Sequence, residues 1–210
     1  MKYDIAIIGG GAAGMMAGLR AGEIGARVIL IEKNKNLGVK LLLTGGGRCN
    51  ITNKTDDLRG FINKFGKNGN FLFSALSRFG VDDTVDFFEK HGVKTKIEKD
   101  QRVFPLSNSS LDVRQTLVNY LKKFNVEIKT GSEVKDIIKK NNRIEKIVLK
   151  NGEEIFADKF ILCAGGKSYP MTGSTGDGYK WLKKMGHTIT DLSPALCSVV
   201  TKEKVVKDLE

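Results

Sequence analysis

The first thirty residues constrain this chain most. Ile5-Ala6-Ile7-Ile8 is an apolar run of strand length that ends abruptly on Gly9-Gly10-Gly11. The spacing then predicts a helix over residues 15–24, with Met16, Ala17 and Leu19 inward, Arg20 and Glu23 outward, and Gly25 placed to stop it. Arg27 to Ile31 leads a second apolar run into Glu32. Strand, glycine turn, helix and strand in about 30 residues make one βαβ unit, whose crossover is right-handed almost without exception.

Within Gly9-x-Gly11-x-x-Gly14 each glycine has its own task. The first permits the tight turn, the second lets bare backbone approach a pyrophosphate, and the third lets helix and strand pack closely. Glu32 follows Gly14 by 18 residues, at the end of the next strand, where a carboxylate accepts from ribose hydroxyls. A lone glycine pattern would be weak evidence, but this context predicts a dinucleotide site.

The chain has 24 glycines, 11 of them at or before Gly47. The second cluster, Thr44-Gly45-Gly46-Gly47-Arg48-Cys49-Asn50, falls where a nicotinamide-type Rossmann half would continue with another helix and strand. A glycine-rich loop there suits the flavin end of FAD, where backbone must lie against a flat ring. Arg48 has two readings of equal weight, as a counter-charge for diphosphate or reduced flavin, or as a salt bridge bracing the loop. Cys49 reads as a small packed side chain, because no second cysteine is near in sequence to resolve a disulfide.

Further on, residues 71–79 and 82–91 read as short helices, and residues 94–104 as a hairpin turning at Lys99-Asp100. Ser109 or Ser110 should cap a helix running to Phe124, with Val113, Leu117 and Leu121 on one face. From Val126 the pattern changes to strands at 126–130, 133–139, 144–149 and 155–156, a compact antiparallel meander. A separate apolar strand, Phe160 to Ala164, then ends on Gly165-Gly166, and a last helix covers residues 179–185.

Composition bears on partners and compartment. Thirty-five Lys and Arg against 24 Asp and Glu leave +11, but the lysines fall singly or in pairs among acids, the pattern of a solvated surface rather than a nucleic-acid patch. Cys49, Cys163 and Cys197 form no C-x-x-C pair and only His91 and His187 are present, so neither a metal site nor a disulfide framework is expected. The glycines of the first apolar stretch rule out a signal or membrane helix, and the expected setting is the cytoplasm, with no membrane partner.

Four segments together carry a resemblance: Gly9-Gly10-Gly11-Ala12-Ala13-Gly14; Gly38-Val39-Lys40-Leu41 into Thr44 to Asn50 with Thr52-Asn53; Arg102-Val103-Phe104-Pro105; and Ala164-Gly165-Gly166-Lys167-Ser168-Tyr169-Pro170 with Thr172 to Gly178. The chain resembles the BaiN/YhiN-type flavoproteins, which include proteins called aminoacetone oxidases. The resemblance implies an α/β, glutathione-reductase-like FAD-binding Rossmann fold, with a central parallel sheet and an antiparallel β-meander.

It also implies an FAD site. Gly9, Gly11, Ala13 and Gly14 would hold the pyrophosphate, and Glu32 and Lys33 would flank the adenosine ribose. Lys40, Gly46, Gly47, Arg48, Cys49 and Asn50 would lie toward the diphosphate, ribityl and ring, and Val134 would meet the adenine through its backbone. Ala164, Gly165 and Gly166 would pass close to the cofactor, with Thr172, Gly173 and Asp177 in the last motif; Asp177 reads equally well as a helix N-cap.

Residues 1–190 are then the FAD-binding domain, short of the family's closing carboxy-terminal segment, and 191–210 the start of an inserted substrate-side domain. The expected activity is oxidoreduction of a small organic molecule through flavin, with NADH or NADPH as a candidate electron donor. Tyr169 is a candidate flavin-side hydroxyl, and His187 reads as a surface residue. The alternatives are a catalytically inactive FAD-binding fragment and a flavin-dependent RNA-modifying enzyme, the latter drawing on the positive charge.

Overall fold

The computed structural model describes residues 2–55 and 57–194. β1 (Tyr3–Ile8), α1 (Ala12–Glu23) and β2 (Val28–Ile31) form the expected unit, with β1 and β2 parallel in a register from Ile5 opposite Val28 to Ile8 opposite Ile31. After them come β3 (Thr52–Asn53), α2 (Leu58–Asn63), α3 (Phe73–Leu76), α4 (Val81–Lys90), β4 (Thr95–Ile97), β5 (Arg102–Pro105), α5 (Ser110–Lys123) and β6 (Glu127–Lys129). β7 (Val134–Lys140), β8 (Arg143–Leu149), β9 (Glu154–Leu162) and α6 (Asp177–Lys184) complete the order.

The main sheet runs β6-β2-β1-β9-β8-β7. Its first four strands are mutually parallel, and β8 and β7 are antiparallel to β9 and to each other in turn. Successive side chains of a strand face opposite ways, so the apolar run of β1 serves two cores. Ile7 packs with Met15 and Leu19 of α1 and Leu117 and Leu121 of α5. Ala6 and Ile8 face Val134, Ile137, Ile147 and Leu149 of the antiparallel strands.

Close helix packing on the first face depends on small residues. Gly14, Gly18 and Gly22 recur at i, i+4 and i+8 along α1 and are buried. A Cβ on Gly18 would stand 2.9 Å from Leu121, and one on Gly22 2.9 Å from the Cβ of Phe124. This stripe lets α5 lie directly against α1.

Two sequence expectations need correction. The segment at 126–130 is not part of the meander: β6 extends the parallel sheet beside β2, with Leu30 opposite Ile128. The segments at 155–156 and 160–164 are not separate strands either. They are one nine-residue strand, β9, whose beginning pairs with β8 and whose remainder pairs with β1 from Ala157 opposite Tyr3 to Leu162 opposite Ile8.

The hairpin forms as expected, β4 and β5 joined through residues 99–101, and β3 adds to it as a small second sheet in the order β3-β5-β4. The cap of α5 differs in detail. Ser109 is the N-cap but its hydroxyl makes no cap bond, and the Ser110 hydroxyl donates to Leu42 O at 3.2 Å, tying α5 to the second glycine loop.

Residues 187–194 carry no helix or strand. The expected domain start at 191–210 lies outside the described residues from 195 onward. No helix among the described residues is long and apolar enough to cross a membrane.

Candidate cofactor site

The carboxyl ends of β1, β2 and β9 open onto a cavity of about 550 Å³, within the roughly 300–1,000 Å³ usual for small-molecule sites. Its floor is the glycine turn. A Cβ on Gly9 would stand 2.3 Å from Cys163 O, and one on Gly14 would stand 1.8 Å from Gly9 O, so packing excludes any side chain at either position. Gly11 has nothing within 4 Å of its missing Cβ and lines the cavity.

Gly11 is also the N-cap of α1, with no side-chain cap and no acid in the first helical turn. The positive end of the helix is thus left for an anion from outside the chain. This division of labour among the three glycines fits a pyrophosphate, and the cavity fits the dinucleotide that carries it.

Glu32 fixes the next wall. The side chain is buried, its Oε2 accepting from Gly10 N–H at 2.7 Å and its Oε1 from Asn34 N–H at 2.8 Å. An ionised carboxylate offers about four acceptor positions, so both oxygens keep capacity for ribose hydroxyls. Val134 lines the same end with Ser132 and Glu133. That turn is tied to the end of β2 by Ser132 N–H to Glu32 O and Gly131 N–H to Asn34 O, each 2.9 Å.

The second glycine loop contributes Lys40, Cys49 and Asn50 to the cavity, with Leu41 and Thr44. Gly46, Gly47 and Arg48 do not line it. Gly46 and Gly47, at φ +65° and +84°, shape the turn. Arg48 Nη1 donates to both carboxylate oxygens of Glu98 at 2.9 Å, and its guanidinium lies 4.0 Å over the Phe104 ring. Of the two readings for Arg48, the structure shows the brace: Lys96 and Arg48 together hold the Glu98 carboxyl below its ordinary range.

Just past β9, Ala164 and Gly165 line the cavity, as do Thr172, Gly173 and Asp177; Gly166 and Gly14 do not. Asp177 is the first residue of α6 rather than its cap, which is Gly176. It pairs with Lys33 at 2.8 Å, and Lys33 also donates to Thr175 Oγ1 at 2.7 Å. Lys40 Nζ donates to Ser168 O at 2.7 Å and Ser174 Oγ at 2.6 Å, and burial lowers its pKa. The sequence singled out neither Asn34 nor Ser174, since both matter through partners more than 130 residues away. Tyr169 and His187 do not line this cavity.

Two measurements test these environments. Hydrogen bonds from Lys33, and then Thr175, depress the Asp177 pKa; Lys184 does the same for Asp136 and Lys96 for Glu98. A depressed carboxylate stabilises the fold above its unfolded pKa and loses that contribution as pH falls through the lower folded value. Tm should therefore hold steady down to about pH 5 and fall progressively below about pH 4, less steeply in Asp177→Asn.

Burial raises the pKa of both Cys49 and Cys163. In a Cys197→Ser background, iodoacetamide at neutral pH should therefore label both thiols more slowly in the folded chain than in the unfolded one. Fast native labelling would show an exposed thiolate.

A model of the HI0933-like protein Rossmann domain matches residues 3–205. A Clostridium scindens protein named 3-dehydro-bile acid delta(4,6)-reductase is 34% identical over 95% of this chain and 48% of its own length. An Escherichia coli protein named ribosomal RNA dihydrouridine synthase is 31% identical over 100% of this chain and 51% of its own. The chain thus spans about half the length of these curated relatives. In shape it is similar to a flavocytochrome c3 fumarate reductase, with a TM-score of 0.72 and 22% identity over 89% of this chain and 41% of that one. With a Rossmann domain matched over nearly its whole length, the chain belongs to the HI0933-like family.

Proposed function

We propose that this chain is the flavin-binding half of an FAD-dependent reductase. Its substrate is a small organic molecule with a carbon–carbon double bond conjugated to a carbonyl, and NADH or NADPH supplies the electrons. The carrying observation is the cavity between the uncapped α1 N-terminus and the pinned Glu32. The choice of bond rests on the relatives' names: a delta(4,6)-reductase of a 3-oxo bile acid and a synthase of dihydrouridine both denote hydrogen gained across such a bond.

Bound FAD supplies hydride transfer through its flavin. The chain's own part is to orient it. The free N–H groups of α1 would hold the diphosphate, Glu32 would accept from the ribose, and the 131–134 turn would flank the adenine. A small molecule rather than nucleic acid is supported by the surface, where Lys2, Lys129, Lys146, Lys150 and Lys184 each pair with a carboxylate.

Titrating the purified chain with FAD tests the cofactor: saturable quenching of FAD fluorescence at one site per chain is expected. A chain that takes up no FAD but binds NAD sinks the proposal. Anaerobic oxidation of NADH or NADPH with a 4-en-3-one steroid, or with uridine-containing RNA, then tests the acceptor. Turnover with the enone supports a small-molecule reductase, and preferential reduction of RNA overturns that choice. FAD binding with no turnover identifies a catalytically inactive binding fragment.

A further inference from the structure

Residues 166–176 form a loop whose ends meet, Gly176 N–H donating to Gly166 O at 3.1 Å, the signature of an Ω-loop. It is braced from within. Tyr169 O accepts from Thr172 N–H at 2.9 Å and from the Thr172 hydroxyl at 2.7 Å, and Pro170 O accepts from Gly173 N–H at 3.0 Å. Thr172, Gly173 and Ser174 form part of the cavity wall, while Tyr169 and Met171 at the apex are 71% and 97% exposed.

Among the described residues, the hydrogen bonds holding this loop to the chain before β9 come from three side chains at the other rim. Lys33 Nζ reaches Thr175 Oγ1, Asn34 Nδ2 reaches Thr172 O at 3.0 Å, and Lys40 Nζ reaches Ser168 O and Ser174 Oγ. Lys33 also pairs with Asp177, just past the loop and itself 3.9 Å from Lys180. The fit at this seam is tight: a Cβ on Gly173 would stand 2.7 Å from Asn34 Nδ2 and 3.2 Å from Lys33 Cε. Gly165 and Gly176, at φ +71° and +80°, flank the loop and are free to absorb a change in backbone direction.

A unit braced within, flanked by glycines, held to the facing rim by these polar contacts and contributing no residue to either hydrophobic core opens without unpacking them. We infer that residues 166–176 are a flap, hinged at Gly165 and Gly176 and latched by Lys33, Asn34 and Lys40, which swings aside to admit the dinucleotide and closes behind it. The inference rests on the FAD reading above and adds to it the control of cofactor entry and exit.

Stopped-flow fluorescence of FAD on the whole chain tests the flap, because a gate and a ligand contact act on rates differently. A gate limits passage in both directions. Thr175→Val removes a latch partner, and Gly173→Ala wedges the seam. Each should raise association and dissociation rates together by about two- to fivefold, with Kd changing less than either rate.

A rise in dissociation alone would mean a lost cofactor contact and would overturn the flap, as would unchanged rates. Thr175→Val carries the test if Gly173→Ala fails to fold. No FAD uptake by the wild type overturns the FAD reading and the flap together, whereas uptake with unaltered rates in the variants overturns the flap alone.

Discussion

Alanine at position 14 is expected to destabilise the chain by about 3 kcal/mol even without cofactor, while alanine at position 11 leaves the fold nearly intact and weakens FAD binding. The added Cβ at 14 would stand 1.8 Å from Gly9 O, and because the obstacle is backbone, α1 must move off β1. Overpacking typically costs about 1–3 kcal/mol and occasionally more, and a Cβ driven this far into backbone belongs above that range, at about 4 kcal/mol. The gain in helix propensity from glycine to alanine, about 1 kcal/mol, does not offset it. For a chain of this size the net loss corresponds to a fall in Tm of roughly 6–12 °C.

At Gly11 the same methyl meets nothing within 4 Å, and φ −76° with ψ −173° suits alanine. The cost is that of a poorer N-cap, about 0.5–1 kcal/mol, or at most about 4 °C. The methyl nevertheless stands where the diphosphate must approach, so FAD affinity should fall by about tenfold or more. Thermal denaturation of the cofactor-free variants and FAD titration separate the two effects. Wild-type FAD affinity in Gly11→Ala would mean that the diphosphate does not sit at this helix end.

The contrast also marks how far local sequence carries. The βαβ unit is legible because its information is local: apolar runs, glycine spacing and Glu32 all fall within the first 32 residues. The hairpin at β4 and β5 is legible for the same reason. β6 is not, since three residues with one apolar side chain, Ile128, do not say which strand they will pair with; the neighbour is β2, almost a hundred residues earlier. β9 reads as two pieces because exposed Asp158 and Lys159 interrupt its apolar pattern, although the strand continues from one pairing partner to another.

The site divides the same way. Gly9, Gly11, Glu32 and Val134 fall at the cavity as read. Arg48 turns away because its preferred partners, Glu98 and Phe104, arrive on the hairpin. No spacing rule announces an ion pair that forms only after the sheet has assembled. The flap latch is hidden for the same reason: Lys33 and Lys40 read as cofactor residues and Asn34 as an ordinary polar one until β9 carries residues 166–176 across to them.

Glu32→Gln should weaken both the fold and the cofactor site, which makes it the sharper probe of how the two ends of the cavity are joined. The carboxylate gives one oxygen to Gly10 N–H and the other to Asn34 N–H. An amide has only one oxygen, so one of these N–H groups would face an NH2 group at hydrogen-bond distance. Leaving a buried donor unmatched costs about 1–3 kcal/mol, and a loss near 2 kcal/mol lowers Tm by roughly 4–8 °C. FAD affinity should drop by about tenfold as well, because the amide is the weaker acceptor for ribose.

The effect should spread beyond the ribose. Gly10 lies between Gly9 and Gly11, so the bond from its N–H makes Glu32 a strut for the glycine turn as well as a ligand. Loosening that strut disturbs the backbone that meets the diphosphate. Gly11→Ala and Glu32→Gln should then be non-additive in FAD affinity, the double variant losing less than the product of the single losses. Strict additivity would show that the ribose and diphosphate ends are held independently, with Glu32 serving the turn and the ribose as separate tasks.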